Sequence, residues 1–132
     1  MEEAQTHVVR IYADEEGNSC LEELPITAGR SPGQTRQSFV TAGAELTLKE
    51  YRAKYSNDWH LVPCRRFAIT IVGELEVEVS GGIRRKINTG ELVFLEDTRG
   101  TGHVTRLSER VTNLFIDVPD TFDVVAWARG DT

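Results

Sequence analysis

The sequence of 132 residues has few of the residue types from which redox and metal sites are usually built, with two cysteines and three histidines. Cys20 and Cys64 belong to no CxxC pair, so a zinc site built on thiolates is not expected. No apolar run approaches the roughly 20 residues that span a bilayer. The acidic start, residues 1–3, lacks the basic and apolar regions of a signal peptide. We therefore predict a cytoplasmic protein with reduced thiols and no membrane partner.

Basic residues are in the minority, because 15 Lys and Arg stand against 21 Asp and Glu and leave a net charge of -6. Nucleic-acid-binding modules usually present a basic face, so nucleic acid is not expected as a partner. Hydrophobic residues make up 39% of the chain and charged residues 27%, which is ordinary for a globular protein. The length suits one domain with a sizeable core and is short for two. The prediction is a single domain over 1–132.

Val, Ile and Thr supply 33 of the 132 residues, a composition that favours β-structure. Short apolar runs alternate with turn-forming residues at intervals of about 8–12 residues, and no convincing amphipathic helix interrupts them. The predicted strands are 7–13, 21–26, 37–41, 45–53, 67–79, 83–87, 91–95, 104–107 and 111–118. Residues 120–129 fit either a short strand or a helical turn. This pattern predicts an all-β barrel or sandwich.

The clearest alternation lies in residues 67–79, where the odd positions are apolar or glycine and Glu74, Glu76 and Glu78 hold even positions. Such strict period-two alternation predicts one strand with its odd face in a core and its even face in water. Ser80-Gly81-Gly82 then turns the chain into the basic run 83–87. We expect that run to lie opposite the acidic face as a set of cross-strand partners.

Four segments carry a family resemblance: WHLVPCRRF (59–67), IVGELEV (71–77), NTGEL (88–92) and GTGH (100–103). They resemble the two cupin motifs, G-x5-H-x-H-x3–4-E-x6-G and G-x5-P-x-G-x2-H-x3-N, with Gly73 closing the first and Gly90 opening the second. RIYADEEG at 10–17 is similar to the opening of a small, largely uncharacterised group of bacterial cupins. The resemblance implies a double-stranded jelly-roll barrel with its core at about 37–118.

The chain departs from the metal-binding form of these motifs. His60 and His103 match two family histidines, but Val62 stands at the second histidine position and Arg66 at the glutamate position. A first-row divalent ion usually needs at least three protein ligands, and a guanidinium beside it is unfavourable. The resemblance therefore implies no tightly bound metal cofactor. The alternative is a Zn, Fe or Ni ion held by His60, His103 and a third ligand. Candidates for that ligand are Asp58, Glu50, Glu96, Cys20 and Cys64.

The candidate catalytic residues are His60, His103 and Arg66. Imidazole titrates near neutral pH and so suits proton transfer, although either histidine could instead be a structural or solvent-facing residue. An inward Arg66 would either stabilise negative charge on a substrate or pair with an internal Asp or Glu. The candidate substrate-binding residues are Trp59, Tyr51, Glu96 and Cys64. Glu96 and Asp97 are otherwise solvated loop acids, partners of Arg66 or residues that orient His103.

These residues predict a small-molecule enzyme that uses acid–base chemistry without a metal, of the isomerase, dehydratase (lyase) or cyclase type, such as an accessory enzyme of secondary metabolism. One alternative is a metal-dependent cupin oxygenase or lyase with a non-standard ligand set. Another is a non-catalytic module that binds or senses a small molecule. A homodimer is also expected, because strands 7–26 precede the motif region and are free to add to a neighbouring sheet.

Overall fold

The structure is a computed structural model that describes residues 7–26, 30–31, 34–35, 44–52, 55–107 and 109–130. The predicted strand 37–41 lies outside the described residues. The strands are β1 (His7–Ala13), β2 (Ser19–Pro25), β3 (Arg30–Ser31), β4 (Gln34–Thr35), β5 (Glu45–Tyr51), β6 (Tyr55–Ser56), β7 (Arg66–Val72), β8 (Leu75–Val79), β9 (Ile83–Ile87), β10 (Leu92–Leu95), β11 (Val104–Leu107) and β12 (Val111–Asp117). A short 3₁₀ turn (Ser80–Gly82) joins β8 to β9, and α1 (Val124–Arg129) follows β12.

The main strands form two sheets. One has the order β2-β1-β10-β7-β12-β5 and the other the order β6-β11-β8-β9. All neighbours are antiparallel except β1 and β10, which run parallel. From β7 to β12 the chain crosses repeatedly from one sheet to the other. This is a jelly-roll arrangement, so the predicted all-β fold class is confirmed.

Aliphatic side chains from both sheets fill the space between them. Val9 and Ile11 come from β1, and they meet Val77, Val79 and Ile87 from the opposite sheet. All five are almost completely buried. Each such side chain contributes about 1.5–3 kcal/mol when it leaves water, so this cluster is the main source of the barrel's stability.

The predicted single strand 67–79 is wrong in its continuity, because the chain changes sheets at Gly73. This glycine lies between β7 and β8 with a φ of 86°. A Cβ at this position would overlap the carbonyl oxygen of Arg110. Only glycine combines the left-handed backbone with so close an approach.

The change of sheet also separates the two halves of the predicted apolar face. On β8 the odd residues face the interior, as predicted. On β7 the even residue Ala68 packs against the interior cluster, whereas Phe67 belongs to a second cluster on the outer side of the sheet. The period-two pattern shows which residues share a face, but it does not show which face a later helix will cover.

That outer cluster is covered by α1, which settles the open prediction for residues 120–129 in favour of a helix. The Asp123 side chain caps its first turn by accepting two backbone N–H groups, and Gly130 ends it in the left-handed conformation. Phe67 packs against Phe94 and Trp127 at ring-centroid distances of 4.8 and 5.1 Å. No helix in the described part of the chain is long and apolar enough to cross a membrane.

The acidic face of β8 is neutralised by its neighbours, as predicted. Lys86 of β9 lies 2.9 Å from Glu74, and Arg84 of the same strand lies 3.4 Å from Glu78. On the other side of β8, Arg106 of β11 reaches Glu78 at 2.8 Å. These charges belong to the sheet surface and form no binding patch.

A stronger ion-pair cluster joins the two sheets. Arg85 of β9 donates two hydrogen bonds to Glu91, at 2.8 and 2.7 Å, and two to Glu23 of β2, at 3.2 and 2.5 Å. His7 of β1 lies 2.9 Å from Glu91. Mainly because of Arg85, the pKa of Glu91 falls to about 2 from the ordinary value of 4.5.

We expect Glu91→Gln to destabilise the protein by about 2 kcal/mol at pH 7. Because the folded state lowers this pKa, the stabilisation is complete above the unfolded value of 4.5 and disappears as the pH falls towards about 2. Urea denaturation of variant and wild type should therefore converge in acid. The exposed partner of Lys86 provides the control, since Glu74→Gln should cost only a few tenths of a kcal/mol. Equal effects of the two variants at pH 7 would contradict this prediction.

Candidate functional site

The structure brings His60 and His103 together although 43 residues separate them. Their backbones form an isolated antiparallel bridge. The N–H of His60 donates to the carbonyl oxygen of His103 at 3.1 Å, and the reverse bond is 3.0 Å long. The two rings lie with their centroids 4.6 Å apart at a tilt of 54°. Two imidazoles therefore share one place at the start of β11.

Gly102 makes this close approach possible. Its φ is 76°, and a Cβ on it would overlap the carbonyl carbon and oxygen of His60. A side chain at this position would therefore push apart the two backbones that place the imidazoles side by side. The glycine-rich loop before His103 thus acts through close packing rather than through flexibility.

Asp97 fixes the orientation of His103. Nδ1–H of His103 donates to Asp97 Oδ2 at 2.6 Å, with the tautomer assigned from the hydrogen-bond network. Both residues are buried, with exposed fractions of 0% for Asp97 and 3% for His103. The prediction of a solvated loop acid at this position is therefore wrong. The alternative, that Asp97 orients His103, agrees with the geometry.

The second carboxylate oxygen of Asp97, Oδ1, is fully enclosed and has no hydrogen-bond partner within the described residues. An enclosed carboxylate oxygen without a partner is costly unless positive charge lies nearby. Nδ1–H of His103 bonds to the other oxygen, Oδ2, so the ring nitrogen that faces away from Asp97 is Nε2.

His60 is half-buried and held from both ring nitrogens. Its Nδ1–H donates to the carbonyl oxygen of Asp58 at 3.1 Å, and the Asn57 amide nitrogen makes a long contact of 3.5 Å with Nε2. The Asn57 amide is fixed in turn, because its Oδ1 accepts the backbone N–H of Thr105 at 2.8 Å. His60 therefore has a defined ring orientation even though it is nearer the surface than His103.

Arg66 lies on the interior face of β7, as predicted, but its guanidinium is taken up by other groups. Nε donates to Asp117 at 2.8 Å, Nη2 reaches the Cys64 sulfur at 3.4 Å, and the group lies 5.1 Å from the Phe115 ring centroid. None of its hydrogen bonds or ion pairs in the described structure involves either imidazole. Of the two predictions for this residue, the structure supports the pairing with an internal acid.

Cys64 is half-buried, and burial raises the pKa of its thiol. A raised pKa leaves little thiolate at neutral pH, so Cys64 is not prepared as a nucleophile. Among the other predicted binding residues, Trp59 is 41% exposed and Tyr51 packs against the interior cluster.

Glu96, a predicted substrate-binding residue, lies at a different site from the histidine pair. Its carboxylate bridges two arginines, with Arg65 Nη2 at 2.8 Å and Arg10 on the other side. All three line an open cleft of about 400 Å³ beside the start of α1, on the outer side of the sheet. Arg65 also donates to the carbonyl oxygens of Pro119 and Asp120. The two arginines are therefore already satisfied, and the cleft does not include the histidines.

The described donors do not fit a three-ligand metal centre at the histidine pair. Three donor groups with ligand atoms within 4.8 Å of one another occur once in this part of the chain, at His7, Glu23 and Glu91. There Arg85 already binds both glutamates. His60 and His103 belong to no such group, and Glu50 and Glu96, two candidate third ligands, are paired with arginines. Two imidazoles alone would hold a divalent ion weakly.

Two residues of this arrangement escaped sequence reasoning. Asn57 carries no motif, and its position became visible only through the hydrogen bond to the backbone of β11. Asp117 lies within the predicted strand 111–118, between two apolar residues, and gave no signal as a partner for Arg66. Asp97 is a candidate from the sequence because it lies next to the second motif.

No family model matches the chain. It is 32% identical over 68 residues to "Oryzines biosynthesis cluster protein J" of Aspergillus oryzae, covering 52% of this chain and 36% of that protein. The chain thus spans about a third of the length of this curated relative.

Several solved structures that resemble the chain are described as cupins. A cupin-2 domain protein of Shewanella frigidimarina has 15% identity and a TM-score of 0.47, over 64% of this chain and 78% of that one. A cupin domain of Bordetella pertussis has 10% identity and a TM-score of 0.44, over 90% and 99%. An RmlC-like cupin of Desulfovibrio desulfuricans has 11% identity and a TM-score of 0.42, over 89% and 91%.

Proposed function

We propose that this chain is a small-molecule enzyme that catalyses proton transfer in its jelly-roll barrel, with His103 as the general base. The observation that carries the proposal is the buried Asp97–His103 hydrogen bond of 2.6 Å beside a second imidazole. A carboxylate on Nδ1 leaves the lone pair of the neutral ring on Nε2, and it stabilises the imidazolium that forms when Nε2 takes a proton.

His60 supplies the second proton-transfer group. Because its ring centroid lies 4.6 Å from that of His103, a proton can leave one substrate atom and another can return to a different atom from a different ring. Isomerisation, dehydration and cyclisation all need such a pair of transfers. Arg66 has no catalytic part in the proposal, since Asp117 holds its guanidinium.

The setting that the proposal favours is the biosynthesis of small organic compounds. The name of the curated relative refers to a biosynthesis cluster, and the segment shared with it covers 52% of this chain. The proposed substrate is a small compound whose reacting carbon lies next to a carbonyl group, because such a carbon can lose a proton to an imidazole base.

The proposal is tested by hydrogen–deuterium exchange into a panel of small carbonyl compounds in D₂O, followed by NMR. This measurement detects proton abstraction before the full reaction is known. The wild-type protein should accelerate exchange for at least one compound. His103→Ala and His60→Ala should each slow that exchange by about 10²-fold, the usual effect of removing a positioned acid or base. His7→Ala is the matched control, because His7 lies in the Arg85 cluster instead.

Full exchange activity in both His60→Ala and His103→Ala would contradict the proposal. In that case ligand binding without catalysis would be the function left for the barrel. If His7→Ala also lost activity, the losses in the three variants would reflect unfolding and not the removal of a catalytic group. Circular dichroism of all three variants therefore accompanies the exchange measurement.

A further inference from the structure

One extra residue interrupts the pairing of the chain with β11 just before His60. Asn57 extends the register of β6 with β11, because its backbone N–H donates to the carbonyl oxygen of Thr105 at 3.2 Å. If this register continued unchanged, Trp59 would lie opposite His103, but His60 lies opposite it instead. The extra residue makes a β-bulge, a feature that changes the direction of side chains and is common beside active sites.

The bulge places three polar side chains on one face of the strand pair. Successive residues of a strand point to opposite faces, so without the extra residue the His60 side chain would point away from His103. With the extra residue the two histidines lie directly opposite each other, and such residues share a face. Asn57 pairs with Thr105, two residues beyond His103 on β11, and therefore lies on this face as well.

The orientation of the Asn57 amide is fixed by its hydrogen bond to β11. The backbone N–H of Thr105 lies 2.8 Å from Oδ1, and because an N–H group bonds only to an acceptor, this atom is the amide oxygen. The amide NH₂ group is thus directed at the imidazoles, where Nδ2 lies 3.5 Å from Nε2 of His60. That contact is longer than the roughly 2.7–3.2 Å of an ordinary hydrogen bond and is weak. An oxygen atom of a substrate can therefore replace His60 as the acceptor.

The proposed reaction needs such a donor. When His103 removes a proton from a carbon next to a carbonyl group, the C–H electron pair forms a carbon–carbon double bond and negative charge moves to the carbonyl oxygen. A hydrogen-bond donor held in place at that oxygen stabilises the charge as it develops. Arg66 does not supply the donor, because Asp117 binds its guanidinium. The two imidazoles are engaged in proton transfer, so a further group has to bind the oxygen.

We propose that Asn57 is a catalytic residue that donates an amide N–H to the carbonyl oxygen of the substrate and stabilises the enolate formed there. This inference rests on the proposed function, and it assigns the substrate class as compounds with an enolisable carbonyl group. Nε2 of His103 takes the proton from carbon while the neutral amide holds the oxygen. Return of a proton to the enolate from either imidazolium regenerates the carbonyl group and releases the amide.

Exchange of deuterium from D₂O into the responsive carbonyl compound tests this role. Asn57→Asp keeps an acceptor for the N–H of Thr105 but replaces the donor with a carboxylate, so exchange should slow by about 10²–10³-fold. Asn57→Ala removes the donor without adding a charge and should slow exchange by at least about 10²-fold. The matched control is Asn88→Asp, the same change at an exposed turn, which should leave the rate unchanged. Circular dichroism should show all three variants folded.

A double variant distinguishes contact with the substrate from orientation of His60. If Asn57 acted only through His60, adding Asn57→Asp to His60→Ala would cause no further loss of exchange. The proposal predicts a further loss of at least about tenfold, because the donor to the substrate oxygen is removed in addition to the imidazole.

Wild-type exchange rates in Asn57→Asp and Asn57→Ala would overturn the assignment of Asn57. The proposed function would stand in that case, provided that His103→Ala still slows exchange. Equal rates in His60→Ala with and without Asn57→Asp would overturn the assignment as well. A wild type that exchanges none of the compounds would overturn both proposals, since the role of Asn57 depends on proton abstraction by His103.

Discussion

Replacing Gly102 with alanine is expected to cost about 3 kcal/mol or more of folding stability, one of the largest effects of any single change in this chain. The new Cβ would overlap the carbonyl group of His60, and the backbone would have to keep a φ of 76° that alanine disfavours. Relief of the overlap requires the loop to move away from His60. That movement would also break the paired hydrogen bonds between the two histidine backbones.

A variant at Gly90 separates the cost of the left-handed backbone from the cost of the steric overlap. Its φ is 85°, but nothing lies within 4 Å of a Cβ built on it. Gly90→Ala should therefore lower the folding stability by only about 1 kcal/mol, the usual effect of placing alanine in the left-handed conformation. Urea denaturation of the two variants measures the difference. Similar losses in both would show that the contact between Gly102 and His60 is unimportant.

Asp97→Ala is expected to remove about 3 kcal/mol of stability, because it leaves the buried Nδ1–H of His103 without its acceptor. Asp97→Asn should behave differently. The amide oxygen can still accept Nδ1–H, so most of the stability should remain, but a neutral amide does not stabilise an imidazolium. Proton exchange catalysed by the asparagine variant should fall by about 10²-fold.

Thermal and chemical denaturation of both variants, together with the D₂O exchange measurement, distinguish these expectations. An alanine variant as stable as the wild type would show that the Asp97–His103 hydrogen bond contributes nothing to stability. An asparagine variant with unchanged exchange would show that the charge of Asp97 has no part in catalysis.

The strands were predictable because their apolar runs are short and sharply interrupted. The run 7–13 coincides with β1, and 104–107 with β11, since each stands between turn-forming residues. The side of β7 that faces the core was not predictable in the same way. Phe67 is buried by α1, and six residues of helix near the end of the chain give too weak a periodic signal to anticipate that cover.

The site was predictable to the extent that motif spacing places a residue. The cupin resemblance implies that His60 and His103 lie on neighbouring strands, and the structure places the two imidazoles side by side. The partners of the carboxylates Asp97 and Asp117 could not be predicted from motif spacing. Whether Arg66 meets a substrate or Asp117, and whether Asp97 faces water or His103, depends on registers between β7, β12 and the loop after β10, which are set by packing across the whole barrel.

The tautomer of the His103 ring is the most direct test of its proposed role as a general base. ¹⁵N NMR of histidine-labelled protein measures this tautomer without a substrate. We expect the neutral His103 ring to carry its proton on Nδ1 and its lone pair on Nε2, because Asp97 accepts the Nδ1–H bond. Asp97→Ala should remove this preference, while His7 should be unaffected in the same spectra. A wild-type ring with its proton on Nε2 would leave no base on the side away from Asp97 and would contradict the proposed mechanism.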